Sequence, residues 1–216
     1  MEPIQGESGY VVPPVEFLRG LREIADRNGI LLIADEVQSG MGRTGRWWAC
    51  EHFDAVPDIL TVAKGISSGM PLSATIARAD LMQWTPGAHA SSFGGNPVSI
   101  AAALATIDLL EHEMIANAAR VGAALMNRLR RWPERYRNVG EVRGFGLMIG
   151  IEIVKDQESR ERAPELRDRI GDLAFERGLL VLGAGQNSLR LSPPLCITEE
   201  EAATAAGILE DCLAQL

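Results

Sequence analysis

The stretch that decides the fold class is VEFLRGLREIADRNGILLIAD, residues 15–35. Its first part repeats apolar residues at the spacing of one helix face, as at Phe17 and Leu21, and Gly29 supplies a helix stop. The apolar run at 30–34 is typical of a short strand that is covered on both faces of a parallel sheet. A helix that leads directly into such a strand predicts an α/β protein.

Polar residues follow the apolar runs at the points where the predicted strands end. Asp35 follows the run at 30–34, and Lys64 follows a second run at 59–63; a third strand is predicted at 72–77. Ligands of open α/β sheets gather outside the carboxyl ends of the strands. We therefore expect Asp35 and Lys64 to lie where the chemistry of this protein takes place.

The second half of the chain has a different pattern, which predicts a smaller α+β unit. A helix that opens with a capping box, Thr198 to Glu201, ends it. The other predicted elements are Gly-rich strands at 142–154, a helix near 165–177 and strands near 179–182 and 189–191. The pattern changes inside or beside a long helix, so we place the domain boundary there, after residue 117.

Composition excludes several classes of protein. The chain has 216 residues with 21 basic and 29 acidic side chains, a net charge of −8, and 46% hydrophobic residues. This balance is typical of a folded soluble protein and argues against nucleic acid or an anionic membrane as a partner. No apolar stretch is long enough to span a bilayer, so a cytoplasmic location is expected. Cys50, Cys196 and Cys212 lack the spacing of a metal site, and we expect them to be buried.

Lysine is rare in this sequence, which makes each lysine conspicuous. Only Lys64 and Lys155 are lysines, and all the other basic residues are arginines. Lys64 passes from an apolar strand into a Gly-rich loop, a place suited to a desolvated, nucleophilic amine that can form a Schiff base. The alternative is a lysine at a strand end whose ammonium group simply reaches water.

The segment after the first strand, 35–45, combines carboxylates, an amide and three glycines. A carboxylate buried at Asp35 needs a cationic partner, and a protonated pyridine nitrogen, as in pyridoxal phosphate, would be one. The glycines allow another group to approach the backbone closely. The alternative is that Asp35 caps a turn and that the glycines form a tight loop.

Two further segments carry candidate binding groups. The loop that contains Ser92 leads into a helix that Asn96 caps, and such a helix start suits a phosphate, although capping alone would also explain the sequence. This helix is predicted to run to about residue 113, and a second helix follows at 115–131. Arg190 lies between apolar residues in a strand-like run, where it would suit a carboxylate; the alternative is an edge arginine with a solvated head.

Five segments together resemble the class III aminotransferases that depend on pyridoxal phosphate. This group includes the 4-aminobutyrate, ornithine and acetylornithine aminotransferases. The resemblance is carried, in order, by the segments 2–7, 33–45, 63–65, 92–97 and 190–194. It corresponds to the C-terminal half of such an enzyme.

The resemblance implies the pyridoxal-phosphate fold type I, which is aspartate aminotransferase-like. Residues 1–117 would form the C-terminal part of the large, cofactor-binding domain, with a mixed, mostly parallel sheet. Residues 118–216 would form the C-terminal α+β small domain. It also implies a homodimer with shared active sites.

The resemblance further implies a role for five residues around pyridoxal phosphate. Lys64 would form the Schiff base with the cofactor and later move a proton. Asp35 would pair with the ring nitrogen, Val37 would pack on the ring face, and Gln38 would lie near the phenolic oxygen. Ser92 would reach the phosphate of the neighbouring subunit's cofactor.

Two more residues are implied to select the substrate. Arg190 would bind the α-carboxylate of glutamate or 2-oxoglutarate. Glu7 would pair with Arg190 when the amino donor lacks an α-carboxylate, because a buried guanidinium without a partner is costly.

The function expected from the resemblance is amino-group transfer from an amino acid or ω-amine to a 2-oxo acid, such as 2-oxoglutarate, with a 4-aminobutyrate-type reaction favoured. One alternative is an amino-acid racemase or epimerase on the same scaffold, which the stretch at 84–90 resembles. Another is an inactive truncated fragment that does not hold the cofactor. No metal site is expected.

Overall fold

The computed structural model describes residues 1–216, which pack as two compact units. The first unit comprises Met1–Pro3, Pro13–Gly42 and Arg46–Ile115. The second unit comprises Ile4–Val12, Arg43–Gly45 and Ala116–Leu216. Each unit therefore includes residues from the N-terminal part of the chain, and each has its own sheet.

The first unit opens with helix α1, Val15–Asn28, followed by strand β1, Ile33–Asp35. The predicted helix is confirmed, and Gly29 ends it with a φ of 65°, in the left-handed region that glycine adopts without strain. The expected burial of β1 on both faces is wrong. Ala34 is buried, but Ile33 and the preceding Ile30 are exposed, because the elements of this unit cover only one face of the strand.

A three-stranded mixed sheet with the order β1-β2-β3 forms the centre of the first unit. β2 is Ile59–Val62 and β3 is Ala74–Ala77; β1 pairs with β2 in parallel, and β2 pairs with β3 in antiparallel fashion. Asp35 lies opposite Thr61 in the parallel pair. The carboxyl ends of β1 and β2 therefore meet at the same edge of the sheet, as the sequence predicted.

Asp58, just before β2, connects several elements of the first unit. Its carboxylate accepts hydrogen bonds from the Leu32 amide at 2.8 Å, from Arg22 of α1 at 2.7 Å and from Arg78 at 2.8 Å. These hydrogen bonds, led by that of the Leu32 amide, lower the pKa of Asp58 from 3.8 to about 2. The carboxylate is thus stabilised in its charged form by the folded state.

We expect the first unit to lose stability as the pH falls from about 4 to about 2. The pKa of Asp58 is lower in the folded chain than in the unfolded chain, so its contribution is complete above pH 4 and is lost on protonation. Asp58→Asn should flatten this part of the stability profile, measured by urea unfolding at a series of pH values. Asp54→Asn, which removes an exposed partner of Arg19, is the matched control. An unaltered profile in Asp58→Asn would contradict the assignment.

The long helical region begins at α2, Pro97–Leu109. The predicted cap is confirmed: the Asn96 side chain accepts hydrogen bonds from the amides of Val98 and Ser99. A π-helical turn, Leu110–Met114, follows, and then α3, Ile115–Leu129. The predicted second helix is confirmed, since α3 begins at Ile115, and the π-helical turn joins it to α2.

The second unit is built on a four-stranded antiparallel sheet with the order β4-β5-β7-β6. Its strands are β4 Val139–Phe145, β5 Met148–Ile153, β6 Leu182–Ala184 and β7 Ser188–Leu191. Besides α3, its helices are α4 Trp132–Arg135, α5 Pro164–Glu176 and α6 Glu199–Leu213. The predicted α+β unit is confirmed, and so is the capping box between Thr198 and Glu201.

The core of the second unit consists of aliphatic side chains from the sheet and from the helices packed on it. Trp132 is fully buried there and donates its indole N–H to Glu210 of α6 at 3.1 Å. The largest buried residues of this core are Leu129, Trp132, Ile149, Ile151, Ile153, Ile170 and Leu209. The unit thus buries substantial apolar area, which is the main source of folding free energy.

Two features of the chain bear on its environment. None of its helices is both long enough and apolar enough to cross a membrane. Cys50 and Cys212 are buried as expected, but Cys196 is exposed, so that expectation is wrong. The reason is its place in the loop after β7, before α6, outside the packed core.

Candidate active site

Lys64 lies directly after β2, at the first position of a 3₁₀ turn, Lys64–Ser67. Its φ is 45°, a left-handed conformation that is uncommon for a residue with a side chain and is worth a functional hypothesis. The expectation of a desolvated amine is wrong for the described chain, because Lys64 is exposed. Its ammonium group makes no hydrogen bond or ion pair.

The other lysine is in a different situation. Lys155 Nζ lies 2.6 Å from Glu161 Oε1, and this hydrogen bond raises the pKa of Lys155. Its ammonium group is therefore held in the charged form. Only Lys64 presents an unpaired amine at a strand end.

Asp35 is half-buried at the carboxyl end of β1. Its Oδ1 accepts a hydrogen bond from the Val37 amide at 3.1 Å, so Asp35 caps a turn, which the alternative interpretation predicted. It makes no ion pair with any arginine or lysine. A half-buried carboxylate without a cationic partner is suited to bind one from a ligand.

Glu36 is a residue of this region that the sequence reasoning missed. It is buried, and its carboxylate accepts hydrogen bonds from the Ser39 hydroxyl at 2.5 Å and from the Cys50 amide at 2.8 Å. These contacts fix the turn that carries the half-buried side chains of Val37 and Gln38. The available signal was the alternation of side chains along a strand, which, continued one residue past β1, puts Glu36 on the face of the buried Ala34.

The buried carboxylate also affects its neighbour. Burial and the proximity of Glu36 raise the pKa of the Cys50 thiol to about 12. Cys50 is therefore protonated at neutral pH and is a poor nucleophile.

The glycines after Gln38 have structural neighbours that the sequence did not indicate. A Cβ on Gly40 would lie 2.8 Å from the Trp48 ring, and one on Gly45 would lie 2.9 Å from Cα of Ala119 in α3. At these two positions the space beside the glycine is filled by other residues of the protein and not left for a ligand.

Ser92 is exposed in the loop before α2. The nearby amides of Val98 and Ser99, which an anion would need, already bind the Asn96 side chain. The capping interpretation therefore explains this helix start within the described chain. The role of Ser92 at a phosphate stays a prediction.

The second unit brings Arg190 and Glu7 together. Arg190 Nη1 lies 2.8 Å from Glu7 Oε1, although the two residues are 183 positions apart. The Arg190 side chain is 18% exposed, whereas that of Glu7 is 71% exposed. Arg190 Nε is buried and has no hydrogen-bond partner. This guanidinium can bind the carboxylate of a ligand if the Glu7 side chain rotates away.

The first unit therefore places an amine and a carboxylate at the same edge of its sheet, and both groups are suited to pyridoxal phosphate. The amine of Lys64 can react with its aldehyde, and the carboxylate of Asp35 can bind its ring nitrogen. Both stand at the carboxyl ends of neighbouring parallel strands. This arrangement is compatible with the class of α/β proteins that bind pyridoxal phosphate.

Sequence comparison identifies the family. The profile of the family described as Aminotransferase class-III matches residues 1–213. The chain therefore belongs to the class III aminotransferase family.

Two relatives show the range of activities among similar proteins. A leucine/methionine racemase of Thermococcus litoralis is 45% identical over 217 residues, which cover 100% of this chain and 49% of the relative. A 4-aminobutyrate aminotransferase of Mycobacterium leprae is 42% identical over 220 residues, which cover 99% of this chain and 48% of the relative. The chain spans about half the length of these relatives.

Structural comparison agrees with the family assignment. An amine transaminase from an uncultivated Pseudomonas species, in a form described as PLP-bound with an internal aldimine, superposes with a TM-score of 0.91 at 42% identity. The match covers 99% of this chain and 51% of that structure. The predicted fold type I is confirmed.

Proposed function

We propose that this chain contributes the catalytic lysine to a pyridoxal-phosphate-dependent aminotransferase. The reaction is transfer of an amino group from an amino acid or ω-amine, with a 4-aminobutyrate-type donor favoured, to a 2-oxo acid such as 2-oxoglutarate. The observation that carries the proposal is the placement of the Lys64 amine and the Asp35 carboxylate, each without an ion-pair partner, at the carboxyl ends of adjacent parallel strands. The cytoplasm is the proposed location.

The residues of the first unit have distinct tasks in this proposal. When bound, pyridoxal phosphate supplies an aldehyde and an electron-withdrawing ring that stabilises negative charge on the substrate carbon. Lys64 would hold the cofactor through its aldehyde carbon, and the Lys64 amine would move a proton at the substrate carbon. Asp35 would hold the ring nitrogen and favour its protonated form.

The remaining residues orient the cofactor. Val37 would pack against the ring face, and Gln38 would lie near the phenolic oxygen. Ser92 would donate its hydroxyl to the phosphate held by the neighbouring subunit, so the proposed assembly is a homodimer with shared active sites. The exposure of Ser92 in the described chain is compatible with a contact to a second subunit.

The ion pair of the second unit provides selection between substrates. Arg190 binds the α-carboxylate of the 2-oxo acid. When the amino donor carries no α-carboxylate, Glu7 pairs with Arg190 instead. The difference in exposure supports this exchange, because the Glu7 side chain is 71% exposed whereas that of Arg190 is 18% exposed. Because the pair is partly exposed, the exchange of one carboxylate for the other on Arg190 changes the free energy only modestly.

The proposal is tested by trapping the Schiff base. The chain is incubated with pyridoxal phosphate, reduced with borohydride and digested, and the labelled peptide is mapped. We expect side-chain label at Lys64 and little at Lys155, because Lys155 Nζ is held by Glu161 on the surface, whereas Lys64 stands at the proposed cofactor site.

Two variants serve as controls for the trapping experiment. Lys64→Ala should abolish the side-chain label, whereas Lys155→Ala should leave it unchanged. Label on neither lysine, or equal label on both, would contradict the proposal and favour a fragment that does not hold the cofactor by itself.

A racemase or epimerase is the second candidate, and the 45% identity to the Thermococcus litoralis racemase favours it. Both reactions begin with removal of the substrate α-hydrogen, but only transamination requires a 2-oxo acid to complete the cycle. Exchange of the α-hydrogen of an amino acid in D₂O, accompanied by inversion and without added 2-oxo acid, would favour the racemase.

A further inference from the structure

Three residues form a row across the sheet of the second unit. In the strand register, Arg143 of β4 lies opposite Gly150 of β5, and Gly150 lies opposite Arg190 of β7. Residues directly opposite each other on neighbouring strands share a face of the sheet. The two arginines therefore stand on one face, with a position between them that has no side chain.

A short hairpin, Gln5–Val11, lies over this position and carries Glu7. It is closed by backbone hydrogen bonds between Gln5 and Val11 at 3.1 and 3.2 Å. A Cβ on Gly150 would lie 2.5 Å from the Gly9 carbonyl oxygen and 3.2 Å from Cβ of Tyr10. The hairpin, which we call the Glu7 hairpin, can occupy this place only because residue 150 is glycine.

Hydrogen bonds from the sheet fix the backbone of the Glu7 hairpin at Glu7 and at Gly9. Arg143 Nη2 donates to the Gly9 carbonyl at 2.8 Å and to the Ser188 hydroxyl at 3.0 Å. The Gly185 amide donates to the carbonyl of Glu7 itself at 2.6 Å. Arg143 is mostly buried, so these hydrogen bonds are partly shielded from water.

We propose that Arg143 is a positioning residue for the pair of Glu7 and Arg190, which selects the substrate. Gly150 contributes by leaving room for the Glu7 hairpin. One arginine of the row holds the backbone of the Glu7 hairpin, and the other binds its side chain. Glu7 can then move on and off Arg190 by side-chain rotation alone. This inference rests on the proposed function, in which Glu7 and a substrate carboxylate compete for Arg190.

The anchoring is tested without any ligand by amide hydrogen exchange of the whole chain. Arg143→Met and Gly150→Ala should each accelerate exchange of the Gly185 amide by about tenfold or more, because the hairpin that protects it is released. Arg143→Lys should restore part of the protection. Unchanged exchange at Gly185 in both Arg143→Met and Gly150→Ala would overturn the proposal.

Two control variants separate this effect from general destabilisation. Arg160→Met removes an arginine of the same unit that donates to the Gly140 carbonyl at 3.2 Å and does not contact the Glu7 hairpin. Gly171→Ala adds a methyl group that meets nothing within 4 Å. Both controls should leave the Gly185 amide as protected as in the wild type, and acceleration in the controls equal to that in Arg143→Met would overturn the proposal.

Competition for Arg190 is tested with 2-oxoglutarate as the probe, titrated by calorimetry at low ionic strength. Arg143→Met should bind it about twofold to fivefold more tightly than the wild type, the range expected when a partly exposed competing ion pair is weakened. Glu7→Gln should give a similar gain, and the double variant should gain nothing further. A gain from Arg143→Met that persists in the Glu7→Gln background would overturn the positioning role.

A failure of the proposed function would give a different result. The affinity for 2-oxoglutarate would then be equally low in the wild type and in Arg190→Lys, independently of the exchange rate of the Gly185 amide. The exchange rates of the Gly185 amide would then decide the positioning role of Arg143 by themselves.

Discussion

Substitution of Gly122 by alanine is expected to destabilise the second unit by roughly 3 kcal/mol or more, near the upper end of what one added methyl group does. Gly122 lies in α3, and a Cβ there would stand 2.2 Å from the carbonyl oxygen of Gly146 and 2.5 Å from its Cα. Both are backbone atoms, so no side-chain rotation can relieve the overlap.

The turn that Gly122 contacts, at Gly146, is packed on its other side and cannot shift away from α3. Gly146 connects β4 to β5, and a Cβ on it would lie 2.4 Å from the carbonyl carbon of Thr44. Helix, turn and the segment Arg43–Gly45 are therefore stacked with backbone against backbone. Urea unfolding of Gly122→Ala beside Gly171→Ala measures the effect, since both add the same group to a helix. Equal stability of the two variants would show that the stack tolerates a side chain.

Asp35→Asn is expected to weaken binding of pyridoxal phosphate by about tenfold to a hundredfold. A hydrogen bond between a carboxylate and a protonated ring nitrogen is worth roughly 1.5–3 kcal/mol, and asparagine cannot supply the charge. The turn should persist, because the amide oxygen of asparagine can accept the Val37 amide in place of the carboxylate. In an assembled, active enzyme most of the turnover should be lost as well.

Asp54→Asn is the matched control for this experiment. It makes the same change of charge in the same unit, at an exposed residue paired with Arg19. Pyridoxal phosphate is titrated into each variant and followed by its absorbance. Unchanged affinity in Asp35→Asn, or an equal loss in both variants, would remove Asp35 from the cofactor site.

Elements with local causes were predictable from the sequence. α1 ends at Gly29, α2 begins at its Asn96 cap, and α6 begins with its capping box, because each signal acts within a few residues of the chain. The placement of Asp35 and Lys64 at adjacent strand ends also followed, since it needs only the order of helix and strand.

Features that depend on distant parts of the chain were not predictable in this way. Arg143 contacts Gly9 across 134 positions, and nothing near Arg143 in the sequence indicates that hydrogen bond. Glu36 lies next to a candidate catalytic residue, yet its buried carboxylate is bound by the amide of Cys50, 14 positions away. The exposure of Ile33 likewise depends on which elements pack against β1. Tertiary packing decided all three.

The fixed backbone of the Glu7 hairpin has a consequence for the timing of a catalytic cycle. Rotation of an exposed side chain takes picoseconds to nanoseconds, whereas loop motions take nanoseconds to microseconds and the opening of a lid takes longer still. Typical enzymes turn over 1 to about 1,000 times per second. A change of partner at Arg190 would therefore be much faster than one catalytic turnover. In the proposed enzyme this exchange would not limit the rate.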